Sequence, residues 1–132
     1  MEPLIFLDTH VVVWLFAGAR DRLRPARRYL EKHELLISPI VKLELRFLCE
    51  IGRITVGPGD IIADLVHRVG LKCADTPFDS VMDASLQQTW TRDPFDRIIV
   101  GQAAAEGLPL LTADRTIRKH YAQAVWSSGK AV

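Results

Sequence analysis

The stretch "PLIFLDTHVVVWLFAG", from Pro3 to Gly18, joins two kinds of segment through a single acid. The run before Asp8 is short and apolar, which is typical of a buried strand. Asp8 or Thr9 can cap the helix that follows, and Gly18 can end it. The three successive valines favour a strand, because β-branched side chains are restricted in helices. The stretch nevertheless predicts a strand followed by a helix, with an acid at the junction.

The same alternation continues along the 132 residues. Besides the strand at 3–7 and the helix at 9–18, strands are predicted at 34–38, 71–75, 108–113 and 123–127. Helices are predicted at 25–33, 39–51, 60–70, 79–90 and 94–107, with a turn at 57–59. Alternating strands and helices indicate an α/β fold with a mainly parallel sheet. The length predicts a single domain over residues 1–132, and no linker or repeat interrupts it.

Composition excludes several classes of protein. The chain is 48% hydrophobic and 25% charged, as globular proteins are. Its apolar runs are shorter than the ~20 residues that span a bilayer, and its N-terminus does not resemble a signal peptide, so no membrane association is expected. Cys49 and Cys73 lack metal-ligand spacing and are interpreted as buried thiols of a cytoplasmic protein.

Charge is balanced overall but uneven along the chain. The net charge of +1 is not the basic excess often found in nucleic-acid-binding proteins. Five arginines nevertheless lie between Arg20 and Arg28, and a smaller basic cluster lies at 115–120. The simplest interpretation of both clusters is a solvated helix face.

Four acids stand out by position. Asp8 and Asp114 follow predicted strands, and ligands of open α/β sheets bind outside the carboxyl ends of the strands. On the helix at 39–51, Glu44 points away from the polar face and into the apolar stripe, where it needs a cation, a proton or an ion-pair partner. In "RDPFDRIIVGQA" (92–103), Asp93 is a good N-cap and Pro94 suits the first helical position. Asp96 lies on the apolar side of that helix, which directs it inward.

Converging carboxylates cannot all stay charged without cations. A hard divalent ion such as Mg²⁺ prefers oxygen ligands and keeps several waters. It also activates bound water for attack on a phosphodiester. If the four acids converge, the pattern therefore indicates metal-assisted phosphodiester hydrolysis, whereas an ion pair with a core arginine remains the alternative for Glu44.

Taken together, "LIFLDTH", the helix glutamate, "RDPFDRIIVGQA" and "LPLLTAD" resemble the PIN-domain ribonucleases, most of all the VapC-type toxins of bacterial toxin–antitoxin pairs. The resemblance covers about residues 4–127. It implies a three-layer α/β/α sandwich with a central parallel sheet. It further implies cleavage of RNA, often tRNA or ribosomal RNA, with Mg²⁺ or Mn²⁺ as cofactor. The implied partners are a cognate antitoxin and a second copy of the chain in a homodimer.

The resemblance also implies roles for individual residues. The catalytic acids would be Asp8, Glu44, Asp96 and Asp114, of which Asp8, Asp96 and Asp114 would be metal ligands. Thr112 would support the site by hydrogen bonding, and Arg97 would hold either a carboxylate or a phosphate. The chain departs from the usual pattern on the glutamate helix, where Leu43 replaces a tryptophan and Leu48 replaces a lysine.

Other functions fit the residues less well. A haloacid-dehalogenase phosphatase needs a second aspartate two residues after the first, where this chain has His10. A receiver domain needs paired acids after the first strand, but Leu7 precedes Asp8. His10 as a metal ligand is less favoured than His10 as a hydrogen-bonding bystander. A catalytically weak scaffold that binds RNA or a partner is the remaining alternative to an enzyme.

Overall fold

A five-stranded parallel sheet forms the centre of the protein in a computed structural model that describes residues 2–127. The strand order is β3-β2-β1-β4-β5, and every neighbouring pair is parallel. The strands are β1 (Leu4–Leu7), β2 (Glu34–Ile37), β3 (Lys72–Cys73), β4 (Leu110–Leu111) and β5 (Ala124–Val125). The predicted parallel sheet is therefore confirmed, with strands shorter than the apolar runs that predicted them.

Eight α-helices and one 3₁₀ turn connect the strands within residues 2–127. They are α1 (Thr9–Ala17), α2 (Arg20–Leu23), the 3₁₀ turn Arg24–Ala26, α3 (Arg27–Lys32), α4 (Ile40–Glu50), α5 (Pro58–Val69), α6 (Phe78–Leu86), α7 (Pro94–Glu106) and α8 (Arg115–His120). Parallel strands are joined by right-handed crossovers. The helices between β1 and β3 therefore cover one face and those between β3 and β5 the other, as a three-layer sandwich requires.

Several predicted boundaries are wrong for local reasons. Helical turns begin at Arg20, not at residue 25, and Pro25 lacks the N–H that would continue the first of them. The turn predicted at 57–59 is instead the start of α5, where Pro58 occupies the first helical position. Helix α8 was not predicted as a separate element. Both basic clusters are exposed, as expected for solvated helix faces.

The hydrophobic core surrounds the central strand. Ile5, Phe6 and Leu7 of β1 are at most 1% exposed, because the strand has a neighbour on each edge and a helical layer on each face. No helix within residues 2–127 is long and apolar enough to cross a membrane. The prediction that both cysteines are buried is wrong, since Cys49 is half-buried and Cys73 lies exposed on the edge strand β3.

Helices α6 and α7 cross closely at Gly101. A Cβ atom at this position would lie 2.8 Å from the backbone nitrogen of Ser85 and 2.9 Å from its Cα. Next to this crossing, Arg97 donates hydrogen bonds to the carbonyls of Ser85 and Leu86, at 2.9 and 3.3 Å. These bonds satisfy carbonyls of the last turn of α6 and help to explain why that helix ends at Leu86, before the predicted residue 90.

Gly101→Ala should lower the free energy of unfolding by ~1–2 kcal/mol. Alanine gains up to ~1 kcal/mol of helix propensity, but overpacking against backbone costs about 1–3 kcal/mol. Urea denaturation measures the difference. Gly59→Ala is the matched control, because open space surrounds Gly59, and it should be neutral or slightly stabilising. A Gly101→Ala chain as stable as the parent would show that α6 and α7 can separate without cost.

Candidate active site

The carboxyl ends of β1 and β4 meet at the point where the strand order reverses. From β1 the chain continues to β2 and β3 on one side, and β4 then returns to the other side of β1. Such a switch point leaves a crevice outside the strand ends. Asp8 immediately follows β1, and Thr112 and Asp114 follow β4. The topology thus brings together residues that the sequence predicted to belong to one site.

Asp8 is buried at this edge and is held from two sides. Its Oδ1 accepts the N–H of Thr9 at 2.8 Å, and its Oδ2 accepts the Thr112 hydroxyl at 2.6 Å. Its own N–H donates to the Leu111 carbonyl at 3.0 Å. Burial raises the pKa of Asp8, although the Thr112 hydrogen bond and the nearby His10 act in the opposite direction. The carboxylate is therefore fixed in orientation but costly to keep charged.

Thr112 also connects Asp8 to Asp114. Its Oγ1 accepts the N–H of Asp114 at 3.0 Å while its hydroxyl donates to Asp8. Asp114 caps α8, since its Oδ1 accepts the N–H groups of Thr116 and Ile117 at 2.8 and 3.0 Å. Thr112 thus bridges Asp8 and Asp114 by hydrogen bonds, and Asp114 is exposed at the mouth of the crevice.

Glu44 lies in the buried face of α4, as its place in the apolar stripe predicted. It is only 8% exposed, and its Oε1 has no hydrogen-bond partner among the described residues. The hydroxyl of Thr9 lies close enough to lower the Glu44 pKa somewhat, but the two groups do not reach hydrogen-bond geometry. No basic side chain of residues 2–127 forms an ion pair with Glu44. The alternative of a core arginine partner is therefore not observed.

Asp93 and Asp96 divide the roles at the start of α7. Asp93 is the N-cap, because its Oδ1 accepts the N–H groups of Phe95 and Asp96 at 2.8 and 3.2 Å. Asp96 lies half-buried in the first turn. Burial and then the negative charges of Asp8, Asp93, Glu44 and Asp114 raise the pKa of Asp96 to about 7. The capping role predicted for Asp93 is confirmed.

The four acids are electrostatic neighbours. Asp8, Glu44 and Asp114 each contribute to the raised pKa of Asp96, and Asp8 also raises that of Glu44. Yet no three acidic, histidine or cysteine side chains in the described part of the chain lie close enough together to hold a metal ion as they stand. The arrangement is therefore a loose acidic cluster with one buried carboxylate oxygen, on Glu44, that lacks a partner.

Two side chains of α1 complete the crevice. A cavity of about 230 Å³ is lined by Asp8, His10, Trp14, Ala113 and Asp114. The sequence did not single out Trp14, although its spacing of four residues from His10 puts both side chains on one side of α1. Arg97, by contrast, faces α6 and contacts neither a carboxylate nor the cavity. Arg97 forms no ion pair with an acid within residues 2–127, and the alternative that it holds a phosphate stays a prediction.

Comparisons with known proteins agree on one family. The PIN domain sequence model matches residues 5–123. Ribonuclease VapC22 of Mycobacterium tuberculosis is 31% identical over 123 residues, which are 88% of this chain and 91% of that protein.

Solved structures share the fold at lower identity. VapBC2 from Rickettsia felis, solved bound to a DNA fragment from its promoter, has a TM-score of 0.66 at 16% identity and covers 94% of this chain and 97% of its own. A toxin–antitoxin complex from Klebsiella pneumoniae has a TM-score of 0.63 at 19% identity, with coverages of 92% and 95%.

Asp96→Asn should remove part of a pH-dependent loss of stability. Because the Asp96 pKa rises from 3.8 to about 7 on folding, only the folded state keeps the proton between those values. The effect of this proton on the free energy of unfolding is most favourable at low pH. The free energy of unfolding then falls as the pH rises toward 7, by up to ~1 kcal/mol per pH unit. Without metal, Asp96→Asn should therefore be more stable than the parent at about pH 8.

Urea denaturation across pH 4 to 8, in the presence of EDTA, measures this. Asp64→Asn is the control. Arg68 lowers the pKa of Asp64 from its usual 3.8, so this carboxylate stays largely charged in both states between pH 4 and 8, and its loss should leave the pH dependence of the parent unchanged. The pH dependence of the free energy of unfolding that remains in Asp96→Asn is expected to come from Asp8 and Glu44, whose pKa values are also raised. If the free energy of unfolding depends on pH equally in the parent and in Asp96→Asn, burial and neighbouring acids do not raise the pKa of Asp96.

Proposed function

This chain belongs to the PIN-domain family, and we propose that it is a metal-dependent endoribonuclease, the toxin of a toxin–antitoxin pair. The similarity to a VapC ribonuclease over most of both chains supports the nuclease activity. The observation that carries the metal dependence is the buried Oε1 of Glu44, which has no hydrogen-bond partner within residues 2–127 and lies among three further acids. A cation is the component that would make this cluster favourable.

The donor set fits a hard divalent ion. Asp8, Asp96 and Asp114 would hold Mg²⁺ or Mn²⁺ through carboxylate oxygens, which such ions prefer. Their separation suits an ion that keeps several of its waters and so needs few direct protein ligands. When bound, the cation supplies a water of lowered pKa and offsets charge on the leaving oxygen.

Side chains of the protein would then have separate roles in the reaction. Thr112 holds Asp8 in one orientation through the hydrogen bond to Oδ2, and the N-terminus of α8 orients Asp114 in the same way. The Oε1 of Glu44 has no hydrogen-bond partner in the described part of the chain, and the pKa of Glu44 is raised, so this oxygen is suited to accept a proton from the attacking water. Arg97 would act only by anchoring α7 to α6.

The proposed partners follow from the family. The substrate would be RNA in the cytoplasm, with tRNA or ribosomal RNA as the leading classes. A protein antitoxin would keep the nuclease inactive, as the toxin–antitoxin complexes of the same fold suggest. A homodimer is the proposed oligomeric state of the toxin.

The purified chain should cleave RNA with Mg²⁺ or Mn²⁺ and stop when EDTA is added. Asp8→Asn and Asp96→Asn should each lose cleavage by at least about 100-fold while remaining folded. Asparagine can still cap α1 at position 8 and suits the first turn of α7 at position 96, but it carries no charge. Gel analysis of intact tRNA and ribosomes measures the products. Asp64→Asn, remote from the cluster, should cleave like the parent. A folded chain that binds these RNAs but never cleaves them would support the scaffold alternative instead.

Thr112→Val should reduce cleavage about 10- to 100-fold without removing any acid, since it frees the Asp8 carboxylate to turn. It should also lower the free energy of unfolding by ~1–3 kcal/mol, because the buried Asp8 oxygen loses its donor. Thr112→Ser keeps the hydroxyl and should retain most activity. If valine and serine variants cleave equally well, Thr112 does not orient the site.

A further inference from the structure

Arg22 approaches the acidic crevice through Trp14. The indole of Trp14 lines the cavity that Asp8 and Asp114 also line. The Cζ atom of Arg22 lies 5.3 Å from the centroid of the same indole ring, within the range of a cation–π contact. The ring of Trp126 meets Trp14 at 5.8 Å with an interplanar angle of 62°, which supports it from another side. The guanidinium is therefore held beside one wall of the crevice.

The charge of Arg22 is not neutralised by a neighbouring acid. Elsewhere in the arginine-rich segment, Arg24 pairs with Asp21 at 2.7 Å and Arg27 lies 3.6 Å from Glu31. Arg22 forms no ion pair with any acid of residues 2–127, and its side chain is exposed. An aromatic contact thus orients this guanidinium while its hydrogen-bonding edge stays available to an anion.

We infer that Arg22, presented by Trp14, binds a backbone phosphate of the RNA substrate next to the phosphate that is cleaved. This rests on the proposed nuclease function and names a positioning residue for it. A cluster of carboxylates repels a polyanion, so the substrate needs cationic contacts close to the acids but not among them. Arginine suits this task, because its planar fork matches two phosphate oxygens and stays charged at every relevant pH.

A second cavity lies along the arginine-rich segment. Arg20, on the same short helix as Arg22, lines this cavity of about 490 Å³ together with Leu23, Arg24, Arg27 and Leu30. Like Arg22, Arg20 has no ion pair within the described residues. Helix α2 therefore carries two arginines that are not neutralised by an acid of residues 2–127.

The test compares two arginines of one segment in the cleavage-deficient Asp96→Asn background. A labelled single-stranded RNA of mixed sequence is titrated with Mg²⁺ present at several salt concentrations. Arg22→Ala should weaken binding about tenfold and reduce the slope of log K against log salt by ~0.7, as loss of one phosphate contact does. Arg24→Ala should change the slope little, because its charge is already paired with Asp21.

Three further variants separate the effect of charge from that of orientation. Arg22→Lys should recover the salt slope but only part of the affinity, since lysine keeps the charge without the planar fork. Trp14→Phe should bind more tightly than Trp14→Leu, because only the former keeps a ring under the guanidinium. In the active chain, Arg22→Ala should raise KM for RNA more than it lowers kcat. Thermal unfolding confirms that each variant is folded.

Several outcomes would overturn the inference. If Arg22→Ala and Arg24→Ala give the same affinity and salt slope while the parent cleaves RNA, Arg22 does not contact the backbone and only this inference fails. If Arg22→Ala weakens binding of an acidic protein partner but not of RNA, the surface serves that partner. If the parent chain neither binds nor cleaves RNA, the proposed function fails together with the inference.

Discussion

The pairing of β1 with β4 joins segments of chain that lie about a hundred residues apart. Asp8 donates its N–H to Leu111, and across the same pair Thr112 donates its hydroxyl to Asp8, 104 positions earlier in the sequence. Both strands are buried, so their register is set by the packing of apolar side chains on two faces. The place of Asp8 and Asp114 at one edge follows from that register, and so do the starting points of α1 and α8.

Three of the four acids lie at helix N-termini, which oppose part of the repulsion among them. Asp8 caps α1, Asp96 lies in the first turn of α7 and Asp114 caps α8. The positive end of each helix dipole favours these negative charges. Glu44 is different, because it lies in the middle of α4 and its buried Oε1 accepts no hydrogen bond from any residue between 2 and 127. A cation or a proton is therefore needed most at Glu44, whose charge is the least stabilised in the cluster.

The basic side chains are arranged so that they do not cancel this charge. Arg97 is the arginine closest in sequence to Asp96, yet it is engaged with carbonyls at the end of α6. Arg22 contacts the wall of the crevice through an aromatic ring and not through a carboxylate. Had either arginine paired with an acid, the cluster would be satisfied within the chain and would have less need of a metal. The separation of charges is consistent with a site that depends on an added cation.

Local patterns in the sequence determined the parallel α/β fold, the capping role of Asp93 and the burial of Glu44, because apolar periodicity and capping chemistry act over a few residues. The lengths of α6 and of the helical turns around Pro25 were harder to predict from the sequence. Tertiary hydrogen bonds from Arg97 help to set the end of α6, and the missing N–H of Pro25 interrupts the turns around it. Only the tertiary structure decided the direction of Arg97 and the contact of Arg22 with Trp14. The same holds for Glu44, which has no ion-pair partner among the residues that the structure describes. Each depends on which distant segments meet, and hydrophobic spacing alone does not encode that.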